Sequence, residues 1–156
     1  MSKTKTPREL LIVALQDLHD GEQAWTERGP KFRNLIGAEL LEFFDADLER
    51  SATQANELEA MLSSLDAAIA GDPNIWLRAI LDDAQRDSDS IVEGRLLDIA
   101  LIGAFRKGKQ AERVSYETAI VLASELDLPV LTERLTEICS QENVADQELH
   151  RLLMRR

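Results

Sequence analysis

Two long stretches of the sequence repeat apolar residues at alternating steps of three and four, the spacing that places side chains on one face of an α-helix. The first such face comprises Leu101, Phe105, Gly108, Glu112, Ser115, Ala119 and Leu122, and the second Leu131, Leu135, Ile138, Glu142, Ala145, Leu149 and Leu152. Between them, residues 126–129 read Leu-Asp-Leu-Pro, which is typical of a turn because proline cannot continue a helix but can begin one. The stretch 97–152 therefore predicts an antiparallel helical hairpin.

The chain before residue 71 predicts a second hairpin. Pro7 after Thr6 suits the start of a helix, and Gly29-Pro30 should kink or break it before helix resumes up to Gly37. A second helix is expected over 38–70. The inward face of the first helix is Leu11, Leu15, Leu18, Glu22 and Trp25, and that of the second is Leu41, Phe44, Leu48, Ser51, Ala55, Leu58, Leu62, Leu65 and Ile69.

Three of these four faces are interrupted by a glutamate near mid-length. Glu112 lies about thirteen residues before the end of its helix and Glu142 about thirteen after the start of the next, so both should lie at the same height. Counting from Gly37 places Glu22 level with Ser51. The sequence therefore predicts carboxylates that converge inside a bundle.

A short third element over 75–87 should lie between the two hairpins, followed by a polar connection. No sustained alternation of β-branched residues predicts a strand. We therefore expect an all-α, ferritin-like four-helix bundle of two antiparallel hairpins, with an additional short helix in a long crossover. Residues 1–6 are expected to form a flexible tail and 7–153 a single domain.

Composition narrows the function. The 156 residues carry a formal net charge of −11, which argues against nucleic-acid binding. No apolar run approaches the roughly 20 residues of a membrane span. Cys139 is the one cysteine, so no internal disulfide can form, and we expect a cytoplasmic protein.

The chain resembles the YciE/YciF-like family of ferritin-like, stress-associated proteins, as a divergent member. The resemblance lies in residues 17–30, 44–54, 101–116 and 135–149, and it extends over nearly all of 7–153. It implies a ferritin-like bundle that forms a homodimer, and it raises the expectation of a di-metal centre.

The chain departs from the family where the metal ligands would lie. The family tends to have His-Leu-Glu-Glu-Thr where residues 47–51 read Asp-Leu-Glu-Arg-Ser, and Glu-His-Tyr-Glu where residues 109–112 read Lys-Gln-Ala-Glu. Two acidic positions have thus become Arg50 and Lys109, and the histidines are gone. The acidic residues kept from the pattern are Glu22, Glu112, Glu142 and Asp146.

Buried glutamates without partners would repel one another, so something must neutralise them. The sequence contains no Glu-x-x-His, the motif typical of di-iron bundles. We favour a network in which Arg50 and Lys109 replace the metal and pair with Glu22, Glu112 or Glu142. The alternatives are a residual metal site with oxygen ligands from Glu22, Glu112, Glu142 and Asp146, holding iron or manganese, and side chains that reach solvent.

The favoured function is therefore a non-enzymatic, stress-associated bundle protein without a cofactor or catalytic residues. One alternative is a metal-dependent oxidase or ion-sequestering protein, and another is an acidic adaptor for an unidentified basic protein partner. We regard His19, His150 and Cys139 as surface or packing residues. Tyr116 either donates a hydrogen bond to an inward carboxylate or belongs to the core with a hydrated hydroxyl.

Overall fold

A computed structural model describes residues 3–155 of the chain. Its helices are α1 (Pro7–Arg28), a 3-10 helix (Gly29–Leu35), α2 (Ala38–Ser64), α3 (Ile75–Ser90), α4 (Arg95–Glu125) and α5 (Pro129–Met154). None of the described residues forms a strand, which confirms the predicted all-α class. None of the helices within this part of the chain combines the length and the apolar character that crossing a membrane requires.

The first helix begins and ends as its local sequence dictates. The Thr6 hydroxyl accepts a hydrogen bond from the Glu9 backbone N–H, and Pro7 occupies the first turn. At Gly29-Pro30 the helix changes to 3-10 geometry up to Leu35, because the proline has no N–H to donate to the preceding turn. Of the predicted tail 1–6, residues 1 and 2 lie outside the described residues.

The expected end of α2 at residue 70 is wrong, since the helix ends at Ser64. Asp66 adopts a left-handed backbone conformation (φ 53°), and the Ala67 N–H donates to the Leu62 carbonyl. These are the features of a Schellman motif. The same motif ends α4, where Asp127 has φ 54° and the Leu128 N–H donates to the Ala123 carbonyl. Aspartate tolerates this conformation, so both helices end before a glycine or proline is reached.

The helices pack as two hairpins, α1 with α2 and α4 with α5, and α3 packs on α4 and α1. Leu11 near the start of α1 lies in one core cluster with Leu122 near the end of α4, so these two helices are antiparallel. The connection from 65 to 94, which includes α3, therefore carries the chain from one end of the bundle to the other. This wiring confirms the predicted ferritin-like four-helix bundle with an extra helix in its crossover.

The hydrophobic core has two parts with different composition. Around one end of the bundle it is aromatic, with Trp25 and Phe44 in edge-to-face contact and Phe105 packed on both. Towards the other end it is mainly leucine, as in Leu15 and Leu135. Five buried charged side chains lie, along their helices, between residues of these two parts: Glu22, Asp47, Lys109, Glu112 and Glu142.

Two inward faces are shifted by one position from those predicted, at two residues of α2 and at one residue of α4. On α2, Leu40 and Asp47 are buried, whereas Leu41 and Leu48 are only partly so. On α4, Tyr116 is buried in place of Ser115. Steps of three and four alternate along a helix, so adjacent residues can compete for one inward position.

Candidate functional site

The functional candidate is a charged layer that four helices contribute to the middle of the bundle. It consists of Glu22 from α1, Asp47 from α2, Lys109 and Glu112 from α4, and Glu142 from α5. Each of these five side chains belongs to a residue that is no more than 3% exposed. Burial of so many charges is costly unless they are paired, so their contacts decide what the layer can do.

Lys109 is the cation at the centre of this layer. Its Nζ lies 2.8 Å from Asp47 Oδ2, 3.0 Å from Glu142 Oε2 and 3.6 Å from Glu112 Oε2. Burial alone would lower the pKa of Lys109, but the surrounding carboxylates outweigh it and hold the pKa well above its ordinary value. The ammonium group therefore stays charged and neutralises carboxylates from three helices.

Asp47, which sequence reasoning missed as a site residue, binds Lys109 on one side and two other donors besides. The Trp25 indole N–H donates to Asp47 Oδ2 over 3.0 Å, and the Arg50 guanidinium donates to Oδ1 over 2.8 Å. The Lys109 ammonium also lies 5.9 Å from the centre of the Trp25 ring, within the range of a cation–π interaction. Asp47 thus fixes the position of the lysine.

Arg50 lies at the edge of the layer and not within it. Its side chain is 33% exposed, and its ion pair is with Asp47, three residues earlier on the same helix. The expected pairing of Arg50 with one of the glutamates therefore differs from the contact that the structure places there. On α2 the next inward residue after Asp47 is Ser51, four positions on, so Arg50 lies beside the inward face and its guanidinium reaches Asp47 from the edge.

Glu22 on α1 is held by Tyr116 from α4. The Tyr116 hydroxyl donates a hydrogen bond of 2.9 Å to Glu22 Oε1, as one of the two sequence interpretations expected. Burial, together with the charge of Glu142, raises the pKa of Glu22 to about 8, and Lys109 and hydrogen bonds from Ser51 and Tyr116 only partly oppose this. Glu22 is therefore protonated at neutral pH when no other cation is close.

Glu112 and Glu142 face each other across the α4–α5 hairpin and divide their charge unequally. Burial and the charge of Glu142 raise the pKa of Glu112 well above its ordinary value. Burial acts on Glu142 too, but Lys109 and the hydrogen bond from Glu112 overcome it and lower the pKa of Glu142. The pair therefore holds one proton on Glu112 and one negative charge on Glu142, as close carboxylates commonly do.

Several polar atoms in the layer make no hydrogen bond of good geometry with another described residue, although Ser51 lies next to Glu22 and Glu112 next to Glu142. They are Glu22 Oε2, Ser51 Oγ, Gln54 Oε1, Lys109 Nζ, Glu112 Oε2 and both carboxylate oxygens of Glu142. The ammonium group of Lys109 is thus within ion-pair distance of the neighbouring carboxylates, but the angles are not those of a hydrogen bond. Oxygens of Glu22, Glu112 and Glu142 all lie within 4.8 Å of one another.

A small void adjoins the layer beneath α3. It is lined by Lys109, Glu112 and Trp25 together with apolar residues that include Leu77 and Leu81, and its volume of about 10 Å³ suits roughly one water molecule. α3 is held in place by Asn74, whose backbone N–H donates to Asp20 while its side chain donates to the Asp17 carbonyl. The void therefore approaches the charged layer from the crossover side.

Asp146, the fourth expected metal ligand, is not brought together with the three glutamates. It lies one turn beyond Glu142, where Arg106 donates to both of its oxygens over 2.8 and 3.1 Å and Gln110 donates over 2.7 Å. Burial would raise the pKa of Asp146, but these donors lower it overall. Asp146 thus belongs to a separate ion pair at the edge of the α4–α5 hairpin.

The two histidines and the cysteine also lie outside the layer. His19 contacts Glu59 over 2.9 Å, and His150 is exposed next to Arg106. Cys139 is partly buried, with its thiol directed at the Arg113 carbonyl over 3.7 Å. Burial raises the pKa of the Cys139 thiol, which makes it less reactive.

These residues do not fit a di-metal centre of the kind found in ferritin-like bundles. Such a centre takes four carboxylates and two histidines, and its two cations lie where the carboxylates converge. Here no histidine is among the buried layer's residues, and the ammonium of Lys109 already lies between Asp47 and Glu142. A second cation at that point would be repelled by the lysine charge.

Comparison with known proteins places the chain in a structural family. Residues 6–156 match the family described as a domain of unknown function, DUF892. The structure is similar to that of the Escherichia coli stress protein YciF, with a TM-score of 0.92 and 24% identity over 97% of this chain and 96% of that one. YcfI from Rhodopseudomonas palustris gives a TM-score of 0.89 and 23% identity over 94% of each chain.

A third similar structure comes from ferritin-like, diiron-carboxylate proteins of Bacillus anthracis strain Ames. It has a TM-score of 0.75 and 17% identity, over 96% of this chain and 99% of that chain. No curated protein matches the chain in sequence. At these identities the solved structures establish the shared fold, and the YciF-like resemblance inferred from the sequence is confirmed.

Proposed function

The chain belongs to the DUF892 family, and on that premise we propose that it is a non-enzymatic, stress-associated bundle protein whose central layer is closed by Lys109 and not by a di-metal centre. The observation that carries this proposal is the position of Lys109 Nζ, 2.8 Å from Asp47 and 3.0 Å from Glu142. A permanent ammonium charge supplies electrostatic stabilisation but has no redox chemistry. The layer then serves to fix the register of the four helices.

The wider role follows from the resemblance and from the neighbours. YciF is a stress protein, and a similar fold over nearly the whole chain supports a stress association here as well. A homodimer, as the resemblance implies, and a cytoplasmic location, as the single cysteine suggests, are part of the same proposal. Without a catalytic metal, the protein would act through assembly and contact with other macromolecules.

Metal content and iron oxidation test this proposal. The full chain would be produced in medium supplemented with iron, manganese and zinc, and its metal content measured by elemental mass spectrometry. We expect fewer than about two metal ions per chain and no oxidation of added Fe²⁺ above the rate in buffer, because a di-iron site needs two cations. About two ions per chain, together with Fe²⁺ oxidation that Glu112→Gln abolishes, would overturn it.

Substitution of the lysine provides a matched pair of variants. Lys109→Ala removes the ammonium group and should raise the metal content by about one ion per chain, because four carboxylates then converge without an internal cation. Lys109→Arg keeps the charge and should leave the metal content unchanged. Circular dichroism would establish that both variants are helical. Equal metal content in the two variants would contradict the role given to the lysine.

The alternative of an ion-sequestering protein is favoured by one observation. Oxygens of Glu22, Glu112 and Glu142 converge within 4.8 Å, and several of them have no hydrogen-bond partner among the residues described. Lys109 thus leaves carboxylate oxygens of the layer without well-directed hydrogen bonds.

A further inference from the structure

Ser51 and Gln54 from α2 adjoin the glutamates of the layer, with Ser51 next to Glu22 and Gln54 next to Glu142. Both α2 residues are no more than 1% exposed, and Ser51 Oγ and Gln54 Oε1 make no hydrogen bond of good geometry with a described residue. The same holds for Glu22 Oε2 and for both oxygens of Glu142, of which Oε2 lies 3.0 Å from Lys109 Nζ. Together these atoms form a set of buried oxygens whose hydrogen-bonding capacity is not satisfied.

We infer that these oxygens bind one hard divalent cation, Mn²⁺ or Ca²⁺, beside Lys109. The geometry points to a single ion with ligands from Glu22, Glu142 and Glu112, completed by Ser51 or Gln54. The inference rests on the proposed function, because it takes Lys109 as the occupant of the other cation position. It therefore describes a mixed centre, in which the ammonium of Lys109 takes one cation position and a metal ion takes the other.

The chemistry of the donors selects the class of ion. Carboxylate, hydroxyl and amide oxygens are the ligands that Mn²⁺, Mg²⁺ and Ca²⁺ prefer, whereas zinc and iron sites in proteins usually include histidine or cysteine. His19, His150 and Cys139 all lie elsewhere in the fold. The set therefore suits a hard cation.

The spacing of the oxygens is compatible with one bound ion. One oxygen from each of Glu22, Glu112 and Glu142 lies within 4.8 Å of the other two. Oxygens on opposite sides of Ca²⁺ lie about 4.6 to 5.2 Å apart and those around Mg²⁺ about 4.2 Å, so three oxygens this close together can ligate a single ion.

The charge of the layer also allows one divalent cation and no more. Four carboxylates, from Glu22, Asp47, Glu112 and Glu142, face the ammonium of Lys109 and the guanidinium of Arg50. With all these groups ionised, about two negative charges remain, and a divalent ion balances them. Two divalent ions would leave excess positive charge in a buried layer, which is unfavourable.

Calorimetric titration of the metal-stripped full chain tests the inference. MnCl₂, CaCl₂, MgCl₂ and ZnCl₂ would be titrated separately, and electron paramagnetic resonance would count bound Mn²⁺. We expect about one Mn²⁺ or Ca²⁺ per chain, with weaker binding of Mg²⁺. Glu22→Gln should weaken Mn²⁺ binding at least about tenfold by removing a ligand charge, and Ser51→Ala, a smaller change that preserves packing, should weaken it less.

Asp146→Asn is the matched control, because Asp146 is buried on the same hairpin but pairs with Arg106 outside the oxygen set. It should bind Mn²⁺ as the wild type does. The inference would be overturned if the wild type bound neither Mn²⁺ nor Ca²⁺, or if the Glu22→Gln and Ser51→Ala variants bound Mn²⁺ equally well. Protons would then balance the charge of the layer. About two Mn²⁺ per chain would instead overturn the proposed function.

Discussion

Glu142 and Asp146 lie one turn apart on the same helix, and both are buried, at 0% and 5% exposure. Their surroundings nevertheless differ. Asp146 accepts two hydrogen bonds from Arg106 and one from Gln110, whereas Glu142 lies 3.0 Å from Lys109 and neither of its oxygens accepts a hydrogen bond of good geometry from a described residue. The carboxylate at the edge of the hairpin therefore has its hydrogen bonds satisfied, whereas the carboxylate inside it does not.

The difference follows from which cation can reach each carboxylate. At the edge, the Arg106 side chain keeps part of its length in water while its planar group meets both oxygens of Asp146. In the interior there is room only for the compact ammonium of Lys109, which is shared among Asp47, Glu112 and Glu142. A shared point charge neutralises the carboxylates but cannot satisfy each oxygen. It is to these remaining oxygens that we propose a metal ion binds.

Lys109→Met should have the largest effect on stability. It removes the only ammonium in the layer and leaves the carboxylates of Asp47 and Glu142 buried without it. Breaking a buried pair from one side costs about 3–5 kcal/mol. Urea denaturation followed by circular dichroism would measure the loss. The neighbouring Lys107→Met is the control, because that side chain is 68% exposed and should change stability by less than about 0.5 kcal/mol. Similar losses in both variants would remove the contrast between interior and edge.

The interior layer should also make the protein less stable in alkali. The pKa of Glu22 is raised from 4.5 to about 8, so its protonation stabilises the folded state below the unfolded-state pKa, and this contribution is lost as the pH rises through the folded-state pKa. We expect the free energy of unfolding of the metal-stripped chain to fall by about 2 kcal/mol between roughly pH 6 and pH 8. Glu22→Gln, which cannot ionise, should show a flatter profile, and an unchanged profile would contradict the assignment.

Asp47→Asn should cost less than loss of the lysine, about 1–3 kcal/mol, because an amide oxygen can still accept from Trp25 while the charge facing Lys109 and Arg50 is gone. Thermal unfolding would measure it. Asp45→Asn serves as the control, since Asp45 forms an exposed pair with Arg33, and such pairs contribute about 0–1 kcal/mol. A larger loss in Asp45→Asn than in Asp47→Asn would show that the layer does not depend on this carboxylate.

The hairpin faces and the convergence of Glu112 with Glu142 could be predicted because the sequence repeats apolar residues at helical spacing on both sides of a proline turn. Asp47 was missed because a more apolar set of residues on α2 was taken as the inward face. Phe44, Asp47, Ser51, Gln54 and Leu58 also follow steps of three and four, but Leu48 and Ala55 offered a more apolar face. Polar residues at helical spacing, level with an inward glutamate, were the available signal.

The end of α2 and the position of Arg50 could not be read from the sequence for different reasons. The Schellman motif at Asp66 depends on a left-handed backbone conformation, which glycine adopts most often at this position. That Asp66 adopts it is seen only in the folded chain. Lys109 and Arg50 are both cations near inward positions. Only packing decides that the compact ammonium is enclosed while the guanidinium remains at the edge.

Asp146→Asn should have the smallest effect and the opposite pH dependence to that of Glu22. Arg106 is partly exposed, so the loss at neutral pH should be about 1 kcal/mol or less. The pKa of Asp146 is lowered by Arg106 and Gln110, so its contribution is present above its unfolded-state pKa and lost as the pH falls through the folded-state value. The difference in unfolding free energy between wild type and Asp146→Asn should therefore shrink in acid, as denaturation at several pH values below about 5 would measure. A difference that grew in acid would place Asp146 with the interior glutamates, and the distinction between edge and interior would fail.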